Sequence, residues 1–353
     1  MHSDRLSYPS PADAAGTSGS TSHSASHHVL IYFVPGNPGL IDYYAPFLSS
    51  LRSFIDGNTA LSSVNFHIHG QNLAGFIDSD HEPFTSQHKP YDLEYQIQHV
   101  LKIVSSLRIE SSGPRHASPY DHVLLIGHSV GAYIALEVCH RVLRDPALAP
   151  SLSQTLTSGI LLFPTIENIA DSPSGWKLNM LRQTPLLGDH AYRIAQGFLR
   201  LWPHDALRAF VGRVLGFPPH AAHVTTRWLK SRDGVWQSLF LGMDEMRVIG
   251  EDKWDVELWD IAQDAEARDA RAPKFYFFFG QRDHWVADRC RDAFIRKRSA
   301  QPERTRFVVS EERIPHAFCI DHSETVAAKV HTWIAEMFGG SIDNTHTAAK
   351  PAT

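Results

Sequence analysis

Cysteine is scarce in this chain. The three present, Cys139, Cys290 and Cys319, are odd in number and far apart, which argues against a disulfide framework and for a reducing compartment. An excess of positive charge is also missing. With a formal charge of −5 and no Lys/Arg cluster that suggests one, nothing supports a nucleic-acid partner. No stretch approaches the apolar length of a membrane span, and the N-terminus lacks the basic region and apolar core of a secretory signal; any membrane association is therefore expected to be peripheral. Metal-ligand spacing is lacking too. His67 and His69 share one face of a strand but have no third ligand nearby, so no metal and no cofactor is expected.

What is present organises itself around residues 122–142. His122 to Ile126 form a short, almost wholly apolar run, as in a strand buried on both faces of a parallel sheet. From Val130 the period becomes helical, with Ile134, Val138 and Val142 four apart. Between them lies Gly127-His128-Ser129-Val130-Gly131, a G-x-S-x-G turn that lifts a serine hydroxyl above a sheet. Gly127 and Gly131 suit a turn in which a side chain would strike the neighbouring strand or helix. Ser129 then stands at a helix N-terminus, and the Val130 N–H is a candidate oxyanion donor.

Other buried-strand runs are Val29–Val34, Gly159–Phe163, Lys274–Phe279 and Arg306–Val309, with an alternating Val64–His69. Helical periods fall between or after them, at Leu93 to Val104 and at Glu324 to Phe338. The alternation predicts an α/β fold with a mostly parallel sheet covered by helices on both faces. Residues 1–27, including His23 and His27, and residues 339–353 are too poor in large apolar groups to fold and read as tails; His28 is grouped with those histidines as solvated. The domain is expected over residues 28–338, with a helical cap at about 164–271 inserted between two late strands. Pro35-Gly36-Asn37-Pro38-Gly39 follows the first of the strands, where a second oxyanion N–H is needed, and Asn37 is the candidate.

A serine hydroxyl needs a base, and the base needs a carboxylate to orient it. In this architecture the chain order is Ser, acid, His. Asp283 and His316 satisfy it, each in a loop just past a strand. Asp288 is a rival acid but falls in the next helix, and His284, His322 and His128 are rival bases. Cys319 lacks such a turn, and an apolar neighbourhood keeps a thiol protonated. In the cap, residues 192–217 interleave large apolar groups with Arg193, Arg200, Arg208 and Arg213. Phe198, Leu199, Trp202, Phe210, Val211, Leu215 and Phe217 form either a lipid-interface face with arginines reaching headgroups or the cap's own core.

On these motifs the sequence resembles the lipid droplet-associated hydrolase family. The likeness rests on Pro35 to Gly39, on Gly127 to Tyr133, on Leu162-Phe163-Pro164-Thr165-Ile166 through Ser172-Pro173-Ser174-Gly175, and on the Asp283 and His316 segments. It covers residues 28–338, with Ser174 standing where asparagine is expected. The resemblance implies an α/β-hydrolase fold and a serine hydrolase with Ser129, Asp283 and His316 as its triad. It further implies residence on lipid droplets and the cytosolic face of the endoplasmic reticulum, and sterol esters or triacylglycerol as hydrophobic ester substrates. Two other readings stay open: a droplet surface protein whose role is structural, and an esterase or thioesterase for soluble substrates.

Overall fold

The computed structural model describes residues 4–11, 27–111, 114–184, 196–254, 258, 273–299 and 304–339. Seven strands form one sheet: β1 (Arg5–Tyr8), β2 (His27–Val34), β3 (Val64–Gln71), β4 (His122–His128), β5 (Leu156–Leu162), β6 (Lys274–Phe279) and β7 (Thr305–Val309). Their order across the sheet is β1-β3-β2-β4-β5-β6-β7, and every pairing is parallel except β1 with β3.

The chain runs from β2 outward to β3, then returns to the other side of β2 to lay down β4. Right-handed crossovers in opposite directions put their helices on opposite faces of the sheet. Accordingly α1 (Ala45–Asp56) packs with α9 (Ser323–Phe338), while α2 (Leu93–Ser106) packs with α3 (Val130–Arg144). Helices on both faces explain why β2 and β4 read as continuous apolar runs, with Val29 to Val34 and Leu124 to Ile126 almost wholly buried. The reversal makes the carboxyl ends of β2 and β4 a topological switch point, the place where open α/β sheets bind ligands.

Between β5 and β6 the chain leaves the sheet for α4 (Pro173–Gln183), α5 (His204–Arg213), α6 (Pro219–Lys230) and α7 (Gly234–Val248); after β6, α8 (Asp288–Arg298) leads to β7. Helix α7 starts where the Asp78 carboxylate accepts the N–H groups of Arg232 (2.6 Å) and Asp233 (3.2 Å). Leu207, Val211 and Ala222 form a small core apart from the main one, with Leu199, Trp202, Phe217 and Leu229 packed on it.

Two expectations about the first residues are corrected. Arg5–Tyr8 is no tail: it pairs antiparallel with β3, Leu6 opposite Gly70 and Tyr8 opposite Ile68. Composition measures how much apolar surface a segment can bury. An edge strand is held instead by main-chain hydrogen bonds to a neighbour whose outer row would otherwise be open, and composition does not report those. His28 likewise lies inside β2, buried, with its Nδ1 3.1 Å from His67 Nε2. Residues 12–26 and 340–353, with Tyr192, Arg193 and Ile194 of the cap stretch, lie outside the described residues.

At Gly131 a Cβ would stand 2.3 Å from the Val34 carbonyl oxygen and 2.6 Å from that of Pro35. Both are backbone atoms of β2 and the loop after it, so the clash has no cheap relief. Gly131→Ala is expected to lower stability by about 2 kcal/mol or more, read as a lower midpoint in urea unfolding. An unchanged midpoint would show that α3 is free to move away from β2.

Candidate active site

The turn after β4 is strained as the motif requires. Ser129 has φ 54° and ψ −125°, a left-handed backbone held by a non-glycine residue. Such a conformation persists only where its surroundings enforce it. Here the Ser129 N–H donates to the Leu162 carbonyl of β5 (3.0 Å), and a Cβ on Gly127 would lie 2.3 Å from the Gly131 carbonyl oxygen. The Ser129 side chain makes no capping bond to α3. Its hydroxyl is thus left free for a partner outside the helix.

Asp283 follows β6 and His316 follows β7. The structure brings both to Ser129: His316 Nε2 lies 2.8 Å from Ser129 Oγ, and His316 Nδ1 lies 2.7 Å from Asp283 Oδ2. Burial alone would raise the Asp283 pKa. The imidazole of His316 and the Trp285 N–H, which donates to Oδ1 (2.8 Å), outweigh burial and hold the carboxyl below its ordinary value. An ionised carboxylate can only accept, so the proton between them sits on His316 Nδ1. Nε2 is then the free base facing the serine.

The rivals are elsewhere. Asp288 begins α8, where its exposed carboxylate pairs with Arg291 (2.8 Å). His284 adjoins the acid, but its ring is 6.0 Å from that of His316, and its carbonyl accepts the Ser174 N–H at the head of α4 (2.9 Å). His322 sits at the foot of α9. His128 points beneath the nucleophile, its Nε2 2.9 Å from the His316 carbonyl oxygen. The Cys319 thiol is buried, and burial pushes it up to about 12.

The loop after β2 lies against the serine: a Cβ on Gly36 would meet Ser129 Cβ at 3.0 Å. The Gly36 N–H is taken, donating to the Tyr44 hydroxyl (3.0 Å). Among the described residues the Asn37 N–H meets no acceptor, and the Val130 N–H, at the first position of α3, precedes any intrahelical one. The Asn37 side chain turns away toward the cap. Its amide donates to the Ser238 carbonyl (2.9 Å) and the Glu245 carboxyl (3.1 Å), both on α7.

The cap residues divide. Val211 is fully buried and Leu199, Trp202 and Phe217 pack on the small core, so these four are corrected from interface to cap interior. Their side chains have partners across the α5–α6 contact that helical periodicity alone does not distinguish from solvent. Phe198, Phe210 and Leu215 are exposed at 62%, 38% and 52%, joined by Leu201 at 81% and Val214 at 67%. Arg200, Arg208 and Arg213 are exposed beside them. Among the described residues no helix is long and apolar enough to cross a membrane.

A mostly parallel sheet with helices on both faces, and a serine on a strained strand-to-helix turn meeting a histidine and a buried aspartate, define an α/β-hydrolase. Solved structures share the fold. The peroxisomal α/β-hydrolase of Saccharomyces cerevisiae aligns with a TM-score of 0.57 at 12% identity, over 93% of this chain and 81% of that one. A haloalkane dehalogenase from Bradyrhizobium elkani aligns with a TM-score of 0.54 at 16% identity, over 91% and 94%. Residues 27–319 match the family described as lipid-droplet associated hydrolase, and the chain belongs to that family. Relatives named lipid droplet-associated hydrolase include one from Rattus norvegicus, 28% identical over 318 residues, which are 86% of this chain and 84% of that protein. Another, from Dictyostelium discoideum, is 23% identical over 316 residues, 89% and 90%.

Sequence reasoning missed Tyr44, Ser238 and Glu245, for none stands in a motif; only the tertiary fold brings them to the loop. Burial pushes the Glu245 carboxyl from 4.5 up to about 8, with the Asn37 amide opposing and Asp244 adding to it. A carboxyl whose pKa is raised on folding binds its proton more tightly in the folded state, so the stability linked to Glu245 is fully present below 4.5 and is lost as pH rises toward 8. Glu245→Gln, which keeps an acceptor for Asn37, should flatten that fall in urea unfolding between about pH 5 and about pH 8. The same slope in both proteins would mean that Glu245 ionises without penalty.

Proposed function

We propose that the protein is a serine hydrolase of hydrophobic carboxylic esters, of the sterol ester or triacylglycerol class, acting at the surface of lipid droplets. The observation that carries the chemistry is the 2.8 Å contact of His316 Nε2 with the hydroxyl of Ser129 on its strained turn. Ser129 Oγ attacks the acyl carbonyl while His316 Nε2 takes its proton. Asp283 steadies the imidazolium, and the N–H groups of Asn37 and Val130 receive the developing oxyanion. Collapse of the tetrahedral intermediate expels the alcohol, which takes the proton back from His316. Water, deprotonated by the same histidine, then releases the acid and restores the serine.

The lipid part of the reading draws on the names of the relatives and on the exposed apolar residues of the cap. Phe198, Leu201, Val214 and Leu215 with Arg200 and Arg213 suit shallow insertion into an interface, apolar groups in the acyl region and guanidinium groups among headgroups. The same patch also favours a second reading, a droplet surface protein whose effect on storage is structural.

A fluorophosphonate should label wild type and fail to label Ser129→Ala, and turnover of a lipid ester by that variant should fall at least about a thousandfold. Lack of labelling in folded wild type would sink the enzyme reading. Leu201→Asp with Val214→Asp should release the protein from isolated droplets while leaving hydrolysis of a short soluble ester intact, because neither residue belongs to a core. If this pair abolishes the droplet phenotype in cells and Ser129→Ala does not, the structural reading replaces the enzymatic one. Undiminished droplet binding by the pair would point instead to soluble esters or thioesters.

A further inference from the structure

Directly beneath the nucleophile, polar groups on three segments join into a one-way hydrogen-bond chain. His128 is buried, and burial, with His316 beside it, pushes its imidazole down to about 3. The ring therefore carries a single proton near neutral pH. Nε2 faces the His316 carbonyl oxygen at 2.9 Å, and a carbonyl can only accept, so the proton is on Nε2. Nδ1 must then accept, and the donor is the Tyr44 hydroxyl at 2.7 Å. The Tyr44 oxygen in turn accepts the Gly36 N–H at 3.0 Å. The Cys319 side chain also reaches the Tyr44 hydroxyl, but with the His128 proton on Nε2 only that hydroxyl can donate to Nδ1, which fixes the order of protons along the line.

The two ends of this chain are backbone atoms. One belongs to the loop carrying the base, the other to the loop carrying Asn37, and of the two side chains between them His128 adjoins Ser129. Resting on the esterase reading, we propose that Tyr44 and His128 are positioning residues, tying the oxyanion loop to the base loop under the serine so that the Asn37 N–H and His316 Nε2 keep fixed distances from Ser129 Oγ. The tie has a second effect. It occupies the Gly36 N–H, so that the oxyanion falls to Asn37 and Val130.

The Tyr44 ring has separate work. It packs 4.5 Å from Phe33 and 6.1 Å from Phe318, contacts that Tyr44→Phe retains while removing only the hydroxyl. His128→Gln places a donor near the position of Nε2 and so keeps the link to the His316 carbonyl, whereas His128→Leu keeps bulk alone. The rate of fluorophosphonate labelling, kcat and KM on p-nitrophenyl butyrate, and the thermal midpoint are measured for wild type and the three variants. A displacement of reacting groups by a fraction of an ångström to an ångström costs up to about a hundredfold. Tyr44→Phe and His128→Leu should therefore lose about tenfold or more in labelling rate and kcat, with KM little changed. His128→Gln should recover much of the loss.

A fall in thermal midpoint with wild-type labelling rate and kcat would overturn the proposal, since a purely structural role predicts that pattern. His128→Gln no better than His128→Leu would overturn the donor assignment on which it rests. Should His128→Leu fail to fold, Tyr44→Phe decides by itself. Wild type that does not label ends the esterase reading and this proposal together; wild type that labels beside equally reactive variants ends this proposal alone.

Discussion

The hydrogen bond from Ser129 to His316 joins residues 187 positions apart, and it exists only because β4 and β7 are parallel strands of one sheet whose carboxyl ends face the same way. Each candidate catalytic group follows the end of a strand: Asn37 after β2, Ser129 after β4, Asp283 after β6 and His316 after β7. A parallel sheet buried on both faces is rigid to within its side-chain packing. The distances among the four loops are therefore set by strand spacing and register, and each loop need only hold its own local turn. The strain at Ser129 is maintained in the same way, by β5 accepting its N–H and by the β2 backbone pressing on Gly131.

The cap contributes in two directions. Inward, α7 grips the side chain of Asn37 through Ser238 and Glu245, and the head of α4 is tied to the acid loop by the bond from Ser174 to the His284 carbonyl. The departure at Ser174 leaves this tie intact, because it is made by the main chain. Outward, α5 rests on a small separate core and turns large apolar groups to solvent. A buried face and an exposed apolar face within the same twenty or so residues explain why the segment carries more large apolar groups than one helical stripe requires.

The site was legible where chemistry and backbone geometry demand particular residue types close together in the chain. G-x-S-x-G between an apolar run and a helical period identified Ser129, and the order Ser, acid, His narrowed the partners to Asp283 and His316, which the structure brings within hydrogen-bond distance of one another. The supporting residues were not legible. Tyr44 reads as one more apolar helix-face residue, and Glu245 as one more charge on a cap helix. The edge strand Arg5–Tyr8 escaped notice because its stability comes from β3 and not from its own composition.

By itself the sequence determined the parallel strands, the strained serine turn and the candidate catalytic groups, because burial on two faces, left-handed backbone and proton transfer each restrict residue type at short range. Only the tertiary structure decided which apolar cap residues face water, which N–H groups remain open beside Ser129, and which way the proton on His128 points. Those depend on what arrives from distant segments: a hydrogen bond or a packed face is completed by its partner, and the residue alone does not specify that partner.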